Sequence, residues 1–112
     1  MINHIPHPLN DIDADIGAYI SSNPDNDYSH VIRKDRRLEI THYLSDIPNG
    51  LFSWYPFENT ANVLVIGGQF GSFLRSISRR CNKVVVVERD GYRAHFIKKR
   101  MDNHKNIIVD NS

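Results

Sequence analysis

The sequence predicts an α/β fold, with three parallel strands in the order third, second, first and helices packed beside them. Residues 61–112 alternate three short apolar runs with two stretches of helical periodicity, which is typical of β-α-β-α-β units. Each run is apolar throughout, as expected for parallel strands that are covered on both faces. Right-handed crossovers between these strands then give that strand order. A chain of 112 residues also has the length of one domain.

Residues 1–60 are predicted to form an N-terminal extension that begins with a short helix. Ile12, Ile16 and Ile20 recur at helical spacing, so one face of this segment is apolar. Asn10 or Asp11 is suited to cap the helix, because a short polar side chain there can accept from a free backbone N–H.

A β-hairpin is the prediction for the middle of this extension. Apolar and polar residues alternate over residues 38–44, which is the period of a strand. The turn "RKDRR" is predicted to pair residues 30–33 with residues 37–41. The following segment, "SDIPNGLFSWYPF", is predicted to form a short helix capped by Ser45 or Asp46.

The second part of the chain, residues 61–112, is predicted to hold the regular α/β unit. Its strands are residues 62–66, 83–88 and 106–110, and its helices are residues 71–81 and 91–103. The helical residues expected to face the sheet are Phe73, Leu74 and Ile77, followed by Tyr92, Phe96 and Ile97.

The stretch "VLVIGGQFGSF" indicates a Rossmann-like nucleotide site at the end of the first strand. Gly67 and Gly71 supply positive φ and let a ligand approach the backbone of a turn that leads into a helix. Glu88 ends the second strand and can accept hydrogen bonds from both hydroxyls of a ribose. Asp110 ends the third strand at the same edge, where an adenine amino group would lie.

These residues resemble the first half of class I S-adenosylmethionine-dependent methyltransferases. The resemblance covers residues 42–112 and rests on "VLVIGGQFGSF…VVVVERD…NIIVDNS". The stretches "LFSWYPFENTANVL" and "RDGYRAHFIKKRMDNHKNIIVDN" are similar to bacterial methyltransferases encoded with glycosyltransferases of surface-polysaccharide synthesis.

The resemblance implies S-adenosylmethionine as the cofactor and assigns roles to the residues of the motif. The glycines of the turn would line the methionine and ribose, Glu88 would hold the ribose hydroxyls, and Arg89 and Asp90 would flank the adenine. Asp110 or Asn111 would lie near the adenine edge. The implied cofactor-binding residues are Gly67, Gly68, Gln69, Phe70, Gly71, Glu88, Arg89 and Asp110. No catalytic residue and no metal ligand is implied.

Two positions depart from the family pattern. Val65 stands where the family has an acid that orients the cofactor's amino group, and Gln69 replaces the middle glycine. The family fold also continues through further strands that carry the substrate-binding residues. The sequence therefore predicts a truncated cofactor-binding part that is not catalytically competent alone.

Two alternative functions stay open. One is a non-catalytic interaction or assembly module that kept the half-fold and lost the chemistry. The other is a fragment similar to the aminopropyltransferases, whose glycine turn also begins "VLVIGG" but carries an Asp where Phe70 stands.

Composition restricts the partners and the location. Fourteen basic and thirteen acidic residues give a net charge of +1, so a nucleic-acid partner is not expected. The single cysteine, Cys81, excludes an internal disulfide framework and fits a reducing, cytoplasmic compartment. No apolar run has the length of a membrane span and no secretion signal precedes the helix. No histidine or cysteine grouping has the spacing of a metal site.

Self-association through the first strand is the partner prediction. The run "NVLVI" would lie at the edge of a three-stranded sheet, and it carries neither a charge nor a proline. Such an edge leaves N–H and C=O groups open to another chain. A symmetric homodimer is therefore expected, unless the N-terminal hairpin covers this edge.

Overall fold

The computed structural model describes residues 5–45 and 56–111, and it confirms the α/β prediction. Three strands, β1 (Asn62–Ile66), β2 (Lys83–Val87) and β3 (Ile107–Asp110), form a parallel sheet in the order β1-β2-β3. β2 is the central strand, as right-handed crossovers require. The register aligns the ends of all three strands at one edge, since Ile66 pairs with Val87 and Val87 with Asp110.

Five α-helices accompany the sheet in the described residues: α1 (Asp11–Ser22), α2 (Ser29–Lys34), α3 (Leu38–Leu44), α4 (Leu74–Ser78) and α5 (Gly91–Arg100). A short 3-10 helix, Gln69–Gly71, precedes α4 and belongs to the glycine-containing turn after β1. None of the helices in the described ranges is long and apolar enough to cross a bilayer.

The predicted N-terminal helix is confirmed as α1. Asn10 is its cap, with the Asn10 side chain accepting a hydrogen bond of 2.8 Å from the Asp13 N–H. Asp11 and Asp13 lie in the first turn, where negative charge favours the helix dipole. Ile16 and Ile20 are buried on one face, as their spacing predicts.

The predicted hairpin is wrong, because its two arms are the helices α2 and α3. Ile40 and Leu44 lie four residues apart and are both buried, so the alternating pattern of this segment also fits one face of a helix. Asp35 in the supposed turn accepts three hydrogen bonds from Arg37 and one from the Tyr19 hydroxyl, which ties the link between the helices to α1. The predicted short helix beyond Ser45 lies outside the described residues.

Both helices of the second part are shorter than predicted. The helix expected over residues 71–81 is reduced to α4, Leu74–Ser78, because the residues before it form the turn. The Asn106 side chain, just before β3, donates to the Ser78 carbonyl at 2.7 Å. This hydrogen bond pairs a carbonyl at the C-terminal end of α4 that has no partner within the helix. α5 begins at Gly91 as predicted and ends at Arg100 rather than at residue 103, and the structure shows Asp90 as its cap.

Two buried clusters hold these elements together. The first lies between one sheet face and helices α4 and α5, and contains Val65, Leu74, Ile77, Cys81, Val84, Val86, Ile97 and Met101. The second joins the N-terminal helices to α5, and contains Ile16, Ile20, Tyr28, Val31, Ile40, Leu44, Phe70, Tyr92 and Phe96. Phe70 is the contribution of the glycine-containing turn to the second cluster.

The expectation that both sheet faces are covered is wrong for the described residues. Leu64, Ile66 and Ile108 point to the other face and are 62%, 77% and 45% exposed. Strands alternate their side chains between faces, so an apolar run buries only the half that meets a helix. On this face β1 and β3 therefore leave apolar side chains exposed.

Candidate cofactor site

The glycine turn, Gly67–Gly71, has an unusual backbone. Four of its five residues have positive φ: Gly67 (78°), Gln69 (48°), Phe70 (60°) and Gly71 (81°). Glycine adopts this region freely, but a bulky residue such as Phe70 does so at a cost of about 1–3 kcal/mol. The surrounding structure must therefore hold the turn in this shape.

The glycines of the turn serve two different needs. A Cβ at Gly68 would come within 2.6 Å of the Ile97 side chain and 2.9 Å of the Val86 side chain, so Gly68 allows close packing of the turn on the core. Apart from its two chain neighbours, no described residue has an atom within 4 Å of the Cβ position of Gly67. The described residues therefore leave the backbone of Gly67 open to the close approach of a ligand.

Hydrogen bonds fix most N–H groups of the turn. The Gly67 N–H continues the sheet by donating to the Val87 carbonyl at 2.9 Å, and the Gly71 N–H donates to the Gly68 carbonyl at 2.7 Å. The Gly68 N–H donates to Glu88 Oε1 at 3.1 Å. Within the described residues, the N–H groups of Gln69 and Phe70 have no such partner, so the turn retains two donors.

Glu88 lies directly after β2 and connects the turn to the next loop. While its Oε1 accepts from Gly68, its Oε2 accepts from the Asp90 N–H at 3.1 Å. The residue is only 8% exposed. Two hydrogen bonds leave further acceptor capacity on an ionised carboxylate, which has about four lone-pair positions.

The predicted adenine-side residues converge on the same edge. Asp90 caps α5 by accepting from the N–H groups of Tyr92 and Arg93, while Arg89 is exposed beside it. Asp110 ends β3, and its carbonyl accepts from the Glu88 N–H at 2.9 Å. The structure therefore brings the glycine turn, Glu88, Arg89 and Asp110 together at the carboxyl edge of the sheet.

Two further groups border this edge. The Asn111 side chain donates to the Glu88 carbonyl at 2.8 Å and to the Arg89 carbonyl at 3.2 Å, so it holds the loop after β2. Pro6 packs against the start of α5, where a Cβ at Gly91 would lie 3.0 Å from the Pro6 ring. The N-terminal segment thus lies beside the predicted adenine position.

Gln69 and Phe70 differ in how they occupy the site. Gln69 is exposed, and its Oε1 lies 3.2 Å from His42 Nε2 on α3. The Phe70 side chain is fully buried in the N-terminal cluster, with its ring 5.5 Å from that of Tyr43 and 6.5 Å from that of Tyr92. Only the backbone of Phe70 therefore remains for a ligand, whereas the Gln69 side chain is exposed at the surface beside His42.

Sequence reasoning missed two residues that act on the turn. His42 contacts Gln69, and Arg100 donates to the Phe70 carbonyl. His42 and Arg100 lie on helices whose contact with the turn depends on the packing of the N-terminal helices. A local sequence pattern does not predict that packing. Among the described residues no three His, Cys, Asp or Glu side chains are grouped to hold a metal ion.

The fold is shared with solved methyltransferases, although no family model matches the sequence and no curated protein matches it. The 23S rRNA methyltransferase ErmE superposes with a TM-score of 0.54 at 22% identity, covering 61% of this chain and 28% of that one. A dimethyladenosine transferase from Plasmodium falciparum gives 0.53 at 20% identity, with coverages of 61% and 26%.

A third structure covers more of the chain. Haemonchus contortus phosphoethanolamine N-methyltransferase 1, in complex with phosphoethanolamine and S-adenosylhomocysteine, gives a TM-score of 0.56 at 14% identity. The match covers 89% of this chain and 21% of that protein. The chain thus has part of the Rossmann-like fold of class I methyltransferases and spans about a quarter of the length of these proteins.

Proposed function

We propose that this chain is the S-adenosylmethionine-binding part of a class I methyltransferase. The observation that carries the proposal is the glycine turn, where the described residues leave the Cβ position of Gly67 open and the Glu88 carboxylate lies beside it. The shared fold supports it, because one protein of that fold is in complex with S-adenosylhomocysteine. The sequence resemblance further supports a place in the group associated with glycosyltransferases of surface-polysaccharide synthesis in bacteria.

The residues present fit the cofactor in chemical type. The N–H groups of Gln69 and Phe70 can donate to the carboxylate of the methionine part, and glycine at 67 removes the Cβ that would obstruct it. Glu88 can accept from the ribose hydroxyls with the lone pairs that Gly68 and Asp90 leave open. Arg89 and Asp110 then lie on the adenine side.

One departure limits what this site can do. Val65, where the family has an acid, is buried in the cluster under α4, so it offers nothing to the cofactor's amino group. When bound, S-adenosylmethionine would supply an electrophilic methyl group, and the sequence resemblance implies no catalytic residue that would present an acceptor to it. We therefore expect the chain by itself to bind the cofactor without turnover.

Calorimetric titration with S-adenosylhomocysteine tests the proposal. We expect saturable binding with one site per chain, and a loss of affinity when Glu88 is replaced. If no heat of binding is observed at millimolar ligand, the non-catalytic interaction module is the better description. The strained turn and the buried Phe70 would then be remnants that serve packing alone.

We further propose that two copies associate through β1. Among the described residues β1 pairs with β2 alone, so its other edge is open. A groove of about 740 Å³ runs beside this edge, lined by Phe57, Val63, Phe73 and Ile77 among others. An open edge beside an apolar groove favours strand addition from a second chain.

A further inference from the structure

We propose that Arg100 is a positioning residue that holds the glycine turn in its binding shape, an inference that rests on the proposed function. Arg100 is the last residue of α5, and its side chain reaches back to the turn. Its Nη1 donates to the Phe70 carbonyl at 2.7 Å and to the Tyr43 carbonyl at 2.9 Å. One nitrogen therefore joins the turn to the end of α3.

The contact acts on the peptide unit that sets the shape of the turn. The carbonyl of the Phe70–Gly71 peptide accepts from Arg100, and the N–H of the same peptide donates to the Gly68 carbonyl at 2.7 Å. Both polar atoms of one peptide are thus fixed. This unit follows two residues with positive φ, Gln69 and Phe70, which would otherwise relax towards a common conformation. Relaxation would redirect the N–H groups of these two residues.

The burial of the guanidinium supports this role. Arg100 is only 6% exposed, and a buried charge costs several kcal/mol unless hydrogen bonds compensate it. The guanidinium carbon lies 5.1 Å from the centroid of the Tyr28 ring, which adds a cation–π contact. A lysine in this position keeps the charge but lacks the planar guanidinium group, so it cannot make the same hydrogen bonds to the Phe70 and Tyr43 carbonyls.

Arg93 offers a matched control on the same helix. Its guanidinium binds the buried Asp13 carboxylate through Nε at 3.0 Å and Nη2 at 3.1 Å. It also lies over the ring of Phe70, 5.1 Å from the centroid. Arg93 therefore stabilises the same cluster as Arg100 but makes no hydrogen bond to the backbone of the turn.

The test compares Arg100→Lys with Arg93→Lys at a temperature where both variants are folded. We expect Arg100→Lys to weaken S-adenosylhomocysteine binding about tenfold, which is roughly 1.4 kcal/mol, and Arg93→Lys to change it less than about twofold. Without ligand, exchange of the Gly71 amide, followed by NMR, should be about tenfold faster in Arg100→Lys only. A loss of stability alone would not separate the two variants in this way.

Glycine at position 69 provides a rescue. Because glycine adopts positive φ without strain, Gln69→Gly should restore part of the affinity that Arg100→Lys loses. If Arg100→Lys does not fold, the wild-type Arg100 Nη protons give the readout: S-adenosylhomocysteine should slow their exchange and leave that of Arg93 Nε unchanged.

Three results would overturn the inference. The first is an affinity and a Gly71 amide exchange rate in Arg100→Lys that equal those of the wild type. The second is a loss of affinity in Arg93→Lys as large as that in Arg100→Lys. The third applies where Arg100→Lys does not fold, and it is an exchange rate of the wild-type Arg100 Nη protons that the ligand does not change. If the wild type does not bind S-adenosylhomocysteine, the proposed function fails, and the ligand-free Gly71 exchange still decides whether Arg100 holds the turn.

Discussion

Replacement of Glu88 by alanine separates the structural role of this carboxylate from its proposed role in cofactor binding. One role is structural, because its two oxygens accept from the N–H groups of Gly68 and Asp90. The other is the proposed contact with the ribose hydroxyls. Asp110→Ala is the matched control, since Asp110 also ends a strand at this edge but does not accept from the turn.

The magnitudes follow from the hydrogen bonds. Each donor left without its acceptor costs about 1–3 kcal/mol, so loss of both hydrogen bonds in Glu88→Ala should lower the free energy of unfolding by about 2–6 kcal/mol. Most of this range lies below the stability of a typical domain, about 5–15 kcal/mol, so we expect the variant to remain folded. Loss of the ribose contact should weaken cofactor binding by about 1–3 kcal/mol, which is about 5- to 150-fold.

The assay is calorimetry with two ligands, S-adenosylhomocysteine and its analogue without the ribose hydroxyls. The wild type and Asp110→Ala should prefer the natural ligand, while Glu88→Ala should bind both with similar affinity. Chemical denaturation measures the structural cost separately. An unchanged preference for the hydroxylated ligand in Glu88→Ala would refute the ribose role, whatever happens to stability.

Three other perturbations test the packing, the edge strand and the pH response. Gly17→Ala should destabilise the fold by about 1–3 kcal/mol in thermal melts, because the new Cβ would clash with the Tyr92 hydroxyl. Val63→Lys should convert a dimer to a monomer in sedimentation, while a monomeric wild type at tens of micromolar would contradict self-association. Burial lowers the pKa of His104, so the unfolded chain binds the proton first as the pH falls. The contribution of His104 to stability is therefore complete above its ordinary pKa of about 6.5 and decreases below it, and His104→Asn should flatten this part of the pH profile of unfolding.

The second part of the fold was predictable because its signals are local. Three apolar runs separated by stretches of helical periodicity are typical of a parallel sheet with helices beside it. The observed strands lie within one residue of their predicted bounds. In the N-terminal part, the alternation over residues 38–44 was compatible with both a strand and a helix. This segment forms a helix because Ile40 and Leu44 are buried against other helices, and the local sequence pattern does not show those long-range contacts.

The candidate site shows the same division. That the glycines and the acids lie together at one edge was predictable from their positions after strands, because parallel strands end at one edge. The direction of the Phe70 side chain was not predictable, since it depends on a positive φ that the residue type disfavours. The contacts of His42 and Arg100 with the turn depend on the placement of α3 and α5.

The glycine turn can hold a phenylalanine at positive φ because other parts of the molecule compensate for the strain. The positive φ of Phe70 costs about 1–3 kcal/mol, and complete burial of a phenylalanine side chain stabilises by about 1.5–3 kcal/mol. The two effects are of similar size, so the N-terminal cluster offsets the strain. A glycine at position 70 would remove the strain and also the side chain that joins the turn to α1, α2 and α3. The shape of the glycine turn therefore depends on the packing of the N-terminal helices as well as on the sheet.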